Sequence, residues 1–265
     1  MLRQFSDIKV FVISLAREKQ RREAIQKRLN SICNTFEFFD AIDGKKERLS
    51  QHNDYIGLKR RLFYGKDLSD GELGCFFSHR ALINKIVQKK IPFAVILEDD
   101  AILLDNFRST IEGLLNSSYP WDIVRFLPDE KLKSKAYSEV VRLFESYNLI
   151  RLATAPGEAH AYILSMNGAK KMQCAMRKIW CPNDTLMGQP LRTHAEILTV
   201  FPSIAEQDKT FISAIGDDRF EKNRLSGWER LVYPLTRGAF KLVDGLSRKV
   251  FYFIMMAKNF TKNNS

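Results

Sequence analysis

Phe93-Ala94-Val95-Ile96-Leu97-Glu98-Asp99-Asp100 joins an unbroken apolar run to three consecutive acids. A continuous run, rather than an alternating one, reads as a strand buried on both faces, as in the parallel sheet of an α/β protein. The acids at its carboxyl end repel one another and gain nothing from burial. They make sense around a cation or a sugar–phosphate, and so mark a metal–nucleotide site.

The chain on either side supports that frame. Val10 to Leu15 reads as a first buried strand, followed by a helix from about Arg17 to Ile32. Arg17, Lys19, Arg21 and Arg22 open that helix, where cations oppose the helix dipole. Two readings stand: a solvated basic face, or an anion site shared by arginines and amide N–H groups. Phe36 to Phe39 reads as a second strand that runs into the turn Asp40-Ala41-Ile42-Asp43-Gly44. Residues 45–68 read as a polar, irregular loop. Ser69 and Glu72 form a capping box for a helix ending near Gln88. His79 shares that helix's apolar stripe, so a core histidine is as well supported as a ligand. Further strands are expected at Trp121–Leu127, His160–Leu164 and Ile197–Pro202, with a helix over Asn106–Asn116 and a short one beginning at Pro182-Asn183-Asp184. The alternation predicts an α/β domain with a mostly parallel central sheet flanked by helices. Ligands of such sheets sit beyond the carboxyl ends of strands, where Ser14, Asp43 and the acidic triplet are expected to converge.

Bulk composition narrows the partners less. The 265 residues suit one domain and a tail, and the net charge of +11 points to polyanionic partners without choosing among them. Cys33, Cys75, Cys174 and Cys181 show no CxxC spacing and read as reduced thiols of a cytosolic protein rather than as a zinc site. Val10 to Leu15 is too short for the core of a secretory leader. The longest apolar run, Val250 to Ala257, falls short of the roughly 20 residues that cross a bilayer.

The boundary expected between a catalytic domain, 1–216, and a C-terminal segment, 217–265, follows the charge. From Arg219 onward ten basic residues face three acids, so this segment carries +7 of the chain's +11. Trp228, Tyr233, Phe240, Phe251, Tyr252, Phe253 and Phe260 are interleaved with them. A basic amphipathic helix with aromatic anchors fits an anionic membrane surface. A helix packed on the domain is the plainer alternative. No nucleic-acid partner is expected, because the segment matches no nucleic-acid-binding motif.

Four ordered motifs resemble glycosyltransferase family 25: Val12-Ile13-Ser14-Leu15-x-Arg17 with Arg21-Arg22, and Phe39 to Gly44; Gly71 to His79; Val95 to Asp100; and the later stretches His160 to Lys171 and Pro202 to Asp208. The family includes bacterial lipooligosaccharide galactosyltransferases and collagen galactosyltransferases, and the missing leader favours the bacterial branch. The resemblance implies a GT-A-like domain and inverting transfer of a hexose, usually galactose from UDP-galactose, in β linkage onto a lipooligosaccharide core sugar. It implies Mn²⁺ or Mg²⁺ near Asp99 and Asp100. Ser14, Arg17, Asp43, Ser78, His79 and Glu98 would line the donor pocket, and Asp184 would be the general base, with Asp208 and Glu206 as other candidates. Gln207, Asp208 and His194 are candidates for a further metal ligand. The expected partners are a UDP-sugar, a glycolipid acceptor and the anionic membrane, and the expected location is the cytoplasmic face of the bacterial inner membrane. Two rival functions remain: a sugar nucleotidyltransferase, disfavoured because Ser14-Leu15-Ala16-Arg17 lacks a glycine-rich loop, and a transferase-like membrane adaptor without activity.

Overall fold

The architecture follows from apolar strands that need cover on both faces. The computed structural model describes residues 2–33, 35–211 and 225–263. In chain order the elements are β1 (Lys9–Ser14), α1 (Lys19–Asn30), β2 (Glu37–Asp40), α2 (Gly57–Tyr64), α3 (Asp70–Gln88), β3 (Phe93–Glu98), β4 (Ala101–Leu103), α4 (Phe107–Leu115), β5 (Ile123–Arg125), α5 (Asp129–Leu132), β6 (Tyr137–Phe144), β7 (Tyr147–Leu152), β8 (Ala161–Ser165), α6 (Met166–Ala175), α7 (Asn183–Met187), α8 (Pro190–Thr193), β9 (Ile197–Phe201), β10 (Ala205–Gln207) and α9 (Gly227–Asn263).

Eight strands form one sheet in the order β2-β1-β3-β8-β5-β9-β7-β6, and β4 pairs with β10 in a separate ribbon. Six of the eight run one way, so the sheet is mostly parallel in direction. The reversed strands β8 and β7 make four of its seven pairings antiparallel. Alternate residues feed two cores. Phe11, Ile13, Ala94 and Ile96 pack on the side of α3 and α6, and Val10, Val12, Val95 and Leu97 on the side of α1 and α4. Burial on both faces is why these runs carry no polar residue, each such side chain contributing about 1.5–3 kcal/mol.

Two expectations are corrected. Residues 45–68 are not one irregular loop, because they contain α2, which ends on Gly65 in the left-handed conformation that glycine adopts freely. The stretch 137–152, where the sequence predicts no strand, is the β6–β7 hairpin. The expected boundary at 216/217 lies outside the described residues.

α9 settles the choice between packing and exposure by doing both. Phe240 stacks on Phe63 at 4.6 Å and meets Trp180 edge-on. Thr236 Oγ1 donates to Leu62 O at 2.6 Å and Arg237 Nη1 to Phe63 O at 2.6 Å, satisfying carbonyls at the end of α2. Arg61 on α2 pairs with Glu229 at 2.9 Å. The outer face exposes Leu231, Leu235, Leu242, Leu246 and Phe253 by 60–80%. Arg230, Lys241, Lys249 and Lys258 are exposed too, while the helix's two acids are held by Arg61 and Arg248. Among the described residues no helix is long and apolar enough to cross a membrane.

Candidate active site

The parallel register β2-β1-β3 brings Ser14, Asp40 and Glu98 together at the carboxyl ends of the three strands, since Ser14 pairs with Asp40 and Ile13 with Glu98. A cleft of about 650 Å³ opens there. Ser14, Arg17, Asp43, Ser78, His79, Glu98, Asp99, Asp100 and Asp184 all line it. Gln207 and Asp208 line it as well, whereas His194 is exposed and is not among the lining residues.

The turn after β2 is pressed onto the start of α3. A Cβ on Gly44 would stand 1.8 Å from Asp70 O, and one on Gly74 would stand 2.7 Å from Ile42 O. Only glycine permits that approach. Ser78 Oγ accepts from Ile42 N at 2.8 Å and donates to Gly74 O at 2.6 Å, pinning the same turn. Asp43 pairs with Arg17. The expected capping box is present: Glu72 N donates to Ser69 Oγ at 3.2 Å and Ser69 N to Glu72 Oε2 at 2.8 Å.

At the basic start of α1, Arg17 and Lys19 are exposed, while Arg21 and Arg22 turn onto carboxylates. Arg22 reaches Asp40 at 2.5 Å and donates to Ser14 O at 2.8 Å. Arg21, only 7% exposed, lies 2.5 Å from Asp99 Oδ1 and 3.0 Å from Asp100 Oδ2. The sequence singles out Arg21 among the basic residues that open α1, but not its pairing with Asp99 and Asp100, which lie 78 and 79 residues away in the chain.

The three acids have different surroundings. His79, wholly buried, holds Tyr162 OH at 2.8 Å by Nδ1 and Glu98 Oε1 at 3.2 Å by Nε2, so it is a core histidine and a site residue at once. Burial raises the Glu98 carboxyl, but the hydrogen bond and charge of His79, with the charges of His160 and Arg21, outweigh it and hold the group below its ordinary value. Asp99 accepts from Ser14 Oγ at 2.6 Å as well as from Arg21. Burial still pushes it up, against the pull of both partners. Asp100 accepts from Gln207 Nε2 at 3.1 Å, and its backbone oxygen from Asp208 N at 2.7 Å. Burial, then the charge of Glu98, push its carboxyl up to about 6. Its Oδ1 is buried without a partner.

That orphaned oxygen tests the fit of a cation. Asp100 carries a buried charge that protein groups compensate incompletely, and a hard divalent ion such as Mg²⁺ or Mn²⁺ suits carboxylate oxygen. Asp99 has both oxygens engaged and is the poorer ligand. Asp208 is tied to Arg28 and Thr210, which with backbone contacts hold its carboxyl down at about 2. Cys75, His79 and Glu98 also bring ligand atoms within 4.8 Å of one another. A sulfur–nitrogen–oxygen set suits zinc, but burial and then the charges of Glu98 and Asp184 push the Cys75 thiol well up, which favours its neutral form.

Asp184 sits in the first turn of α7. Its Oδ1 accepts from Thr185 N at 2.5 Å and its Oδ2 from Glu158 N at 3.0 Å. A carboxylate has about four lone-pair sites, so these bonds orient the group and leave acceptor capacity towards the cleft. A Cβ on Gly157 would come within 2.8 Å of Asp184 Oδ2, so the loop is shaped around this carboxylate.

The chain resembles known proteins along the part that builds this cleft. The model of "Glycosyltransferase family 25 (LPS biosynthesis protein)" matches residues 7–187. Over 167 residues the chain is 32% identical to the lipooligosaccharide biosynthesis protein lic2B of Haemophilus influenzae, with 61% of each chain covered. It is 30% identical over 176 residues to mouse inactive glycosyltransferase 25 family member 3, covering 62% of this chain and 28% of that one. It is 27% identical over 172 residues to zebrafish procollagen galactosyltransferase 1, covering 62% of this chain and 28% of that one. The chain thus spans under a third of the two animal relatives and less than two thirds of the bacterial one. With a family match over more than half its length, the chain belongs to glycosyltransferase family 25.

Proposed function

We propose that the protein is an active, metal-dependent, inverting transferase of GT-A type. It moves a hexose, galactose from UDP-galactose, in β linkage onto a lipooligosaccharide core sugar. The observation that carries this reading is the buried, under-compensated Asp100 in a cleft that also holds Asp184. Asp100 would hold Mn²⁺ or Mg²⁺ with Asp99 beside it, and the ion would supply Lewis-acid neutralisation of the leaving diphosphate. Ser14, Arg17, Asp43, Ser78, His79 and Glu98 would contact the nucleotide and sugar of the donor. Asp184, kept in one orientation by Glu158 N and Thr185 N, would take the proton of the acceptor hydroxyl.

The outer face of α9, where exposed leucines and basic residues lie together, supports a membrane-surface location, which we assign to the cytoplasmic side. Each basic residue near an anionic surface contributes on the order of 1 kcal/mol. Truncation after Gly216 is expected to release the protein from anionic vesicles, and vesicle binding that survives truncation would refute this part.

UDP release from a panel of UDP-sugars, with Mn²⁺ or EDTA, tests the chemistry. Turnover of UDP-galactose with metal, abolished in Asp100→Ala, is expected. The inactive mouse relative gives the second reading some weight. A well-folded protein with no response to any UDP-sugar, by turnover or thermal shift, would favour a transferase-like adaptor.

A further inference from the structure

A second cavity, of about 50 Å³, shares no lining residue with the cleft and is lined by Arg125, Arg151, Gly188, Thr199, Arg248 and Tyr252, among others. It is closed on one side by α9 and on another by the loop that carries Glu158. Arg125 is 1% exposed, and among the described residues no carboxylate pairs with it. Its Nη2 donates to Pro156 O at 2.8 Å and to Glu158 O, and its Nε and Nη1 are buried without partners. Arg248 meets the same wall from α9: a Cβ on Gly188 would stand 3.3 Å from Arg248 Nη1 and 3.6 Å from the Ala155 side chain. Arg248 pairs with Asp244 at 2.7 Å, but its Nε is likewise buried and unpartnered. Arg151 has its charge met by Glu196 and Tyr119.

A buried cation that no carboxylate pairs directly is costly, and a buried N–H without an acceptor costs again. Burial pulls Arg125 down to about 10, with Asp184 and Glu158 resisting. A water occupies about 10–15 Å³ in this measure, so 50 Å³ admits roughly four water-sized positions. That is the size of a tetrahedral oxyanion. Guanidinium N–H groups bind such anions through charge-assisted bonds.

We propose that this cavity binds a small oxyanion, a phosphate group, between Arg125 and Arg248. The phosphate is either free inorganic phosphate or the terminal group of a phosphomonoester whose remainder stays outside. Bound there, it joins α9 to the 155–158 loop. The amide of Glu158 in that loop holds the Asp184 carboxylate. The site thus couples the seating of the C-terminal helix to one wall of the cleft. The proposal does not depend on the transferase reading, because it is tested by binding alone.

The experiment is thermal denaturation of the full chain in phosphate and in chloride at equal ionic strength. A phosphate-specific, saturable rise of about 5–10 °C is expected at a hundredfold excess over Kd. Arg248→Gln and Arg125→Lys should each abolish it; if Arg125→Lys fails to fold, Arg248→Gln alone decides. Glycerol 3-phosphate distinguishes the sources: a rise with it and with inorganic phosphate assigns a phosphomonoester, and a rise with inorganic phosphate alone assigns the free ion. The same rise in Arg248→Gln would place the phosphate elsewhere, including the cleft, and overturn the proposal. No rise over chloride would overturn it too, leaving the cavity to water.

Discussion

Replacing Arg21 by methionine isolates the electrostatics of the acidic triplet. Met keeps much of the buried stem of the side chain and removes the guanidinium that lies 2.5 Å from Asp99 and 3.0 Å from Asp100. Both acids are under a tenth exposed, and what remains to them is one hydroxyl and one amide, from Ser14 and Gln207. Removing one partner of a buried ion pair costs about 3–5 kcal/mol. For a chain of this size that lowers Tm by roughly 6–20 °C. The sign of the pH dependence follows from Asp100. Its folded carboxyl, at about 6, lies above its unfolded value, so the folded state binds the proton more tightly. Stability tied to this group is therefore present at low pH and lost as pH rises through about 6. Without Arg21 the value rises further, so the deficit of Arg21→Met should be smaller at pH 5 than at pH 8. Mn²⁺ at millimolar concentration should then raise the Tm of Arg21→Met more than that of the unsubstituted protein, because the ion replaces the lost positive charge. Scanning calorimetry in EDTA and in Mn²⁺ at both pH values checks all of this. A variant within 2 °C of the parent at pH 8 in EDTA would refute the view that Arg21 compensates the two acids.

Asp184→Asn is expected to lower turnover by about 10²–10⁴ while the thermal shift given by UDP and Mn²⁺ persists. The new amide must face an N–H of Glu158 or Thr185, so a stability loss of about 1–3 kcal/mol should accompany it. Gly44→Ala drives a Cβ against Asp70 O; a cost of about 1–3 kcal/mol and weaker UDP protection should follow as the turn holding Asp43 is displaced, read by calorimetry and titration. Arg61 holds the Glu229 carboxyl below its ordinary value, so this anchor of α9 is present above the unfolded value and lost as pH falls through the lowered one. Glu229→Gln should reproduce the loosening at neutral pH, as faster amide exchange in α9 and α2.

What the sequence discloses here depends on how local the cause is. β1, β3 and β8 are legible because burial on both faces excludes polar residues from them, and Ser69 with Glu72 discloses the start of α3 by a contact three residues long. β6 and β7 escape because their burial alternates irregularly and their pairing carries register shifts. α2 escapes because what holds it is distant: Phe63 and Tyr64 gain their partner, Phe240, from α9. The reversed direction of β8 is equally hidden, since a strand of the run Ala161–Ser165 has the same pattern in either direction.

At the triplet the same limit acts on chemistry. Glu98, Asp99 and Asp100 are adjacent and nearly identical in sequence, yet each meets a different set of partners. Glu98 ends β3 and is received by His79 from α3. Asp99 is received by Ser14 from β1 and Arg21 from α1. Asp100 meets Arg21 at the longer distance and a neutral amide from β10. Positive or protonic compensation therefore falls along the triplet, and the carboxyl pKa moves from lowered at Glu98 to raised at about 6 at Asp100. Among three acids with one ion to share, the ion gains most where the protein compensates least, provided an oxygen is free to meet it. Asp100 alone satisfies both conditions through its unpartnered Oδ1. Substituting each acid by its amide should consequently grade the Mn²⁺-dependent thermal shift, with Asp100→Asn losing it and Asp99→Asn retaining most of it. The reverse order would mean that Arg21 gives up Asp99 when an ion arrives.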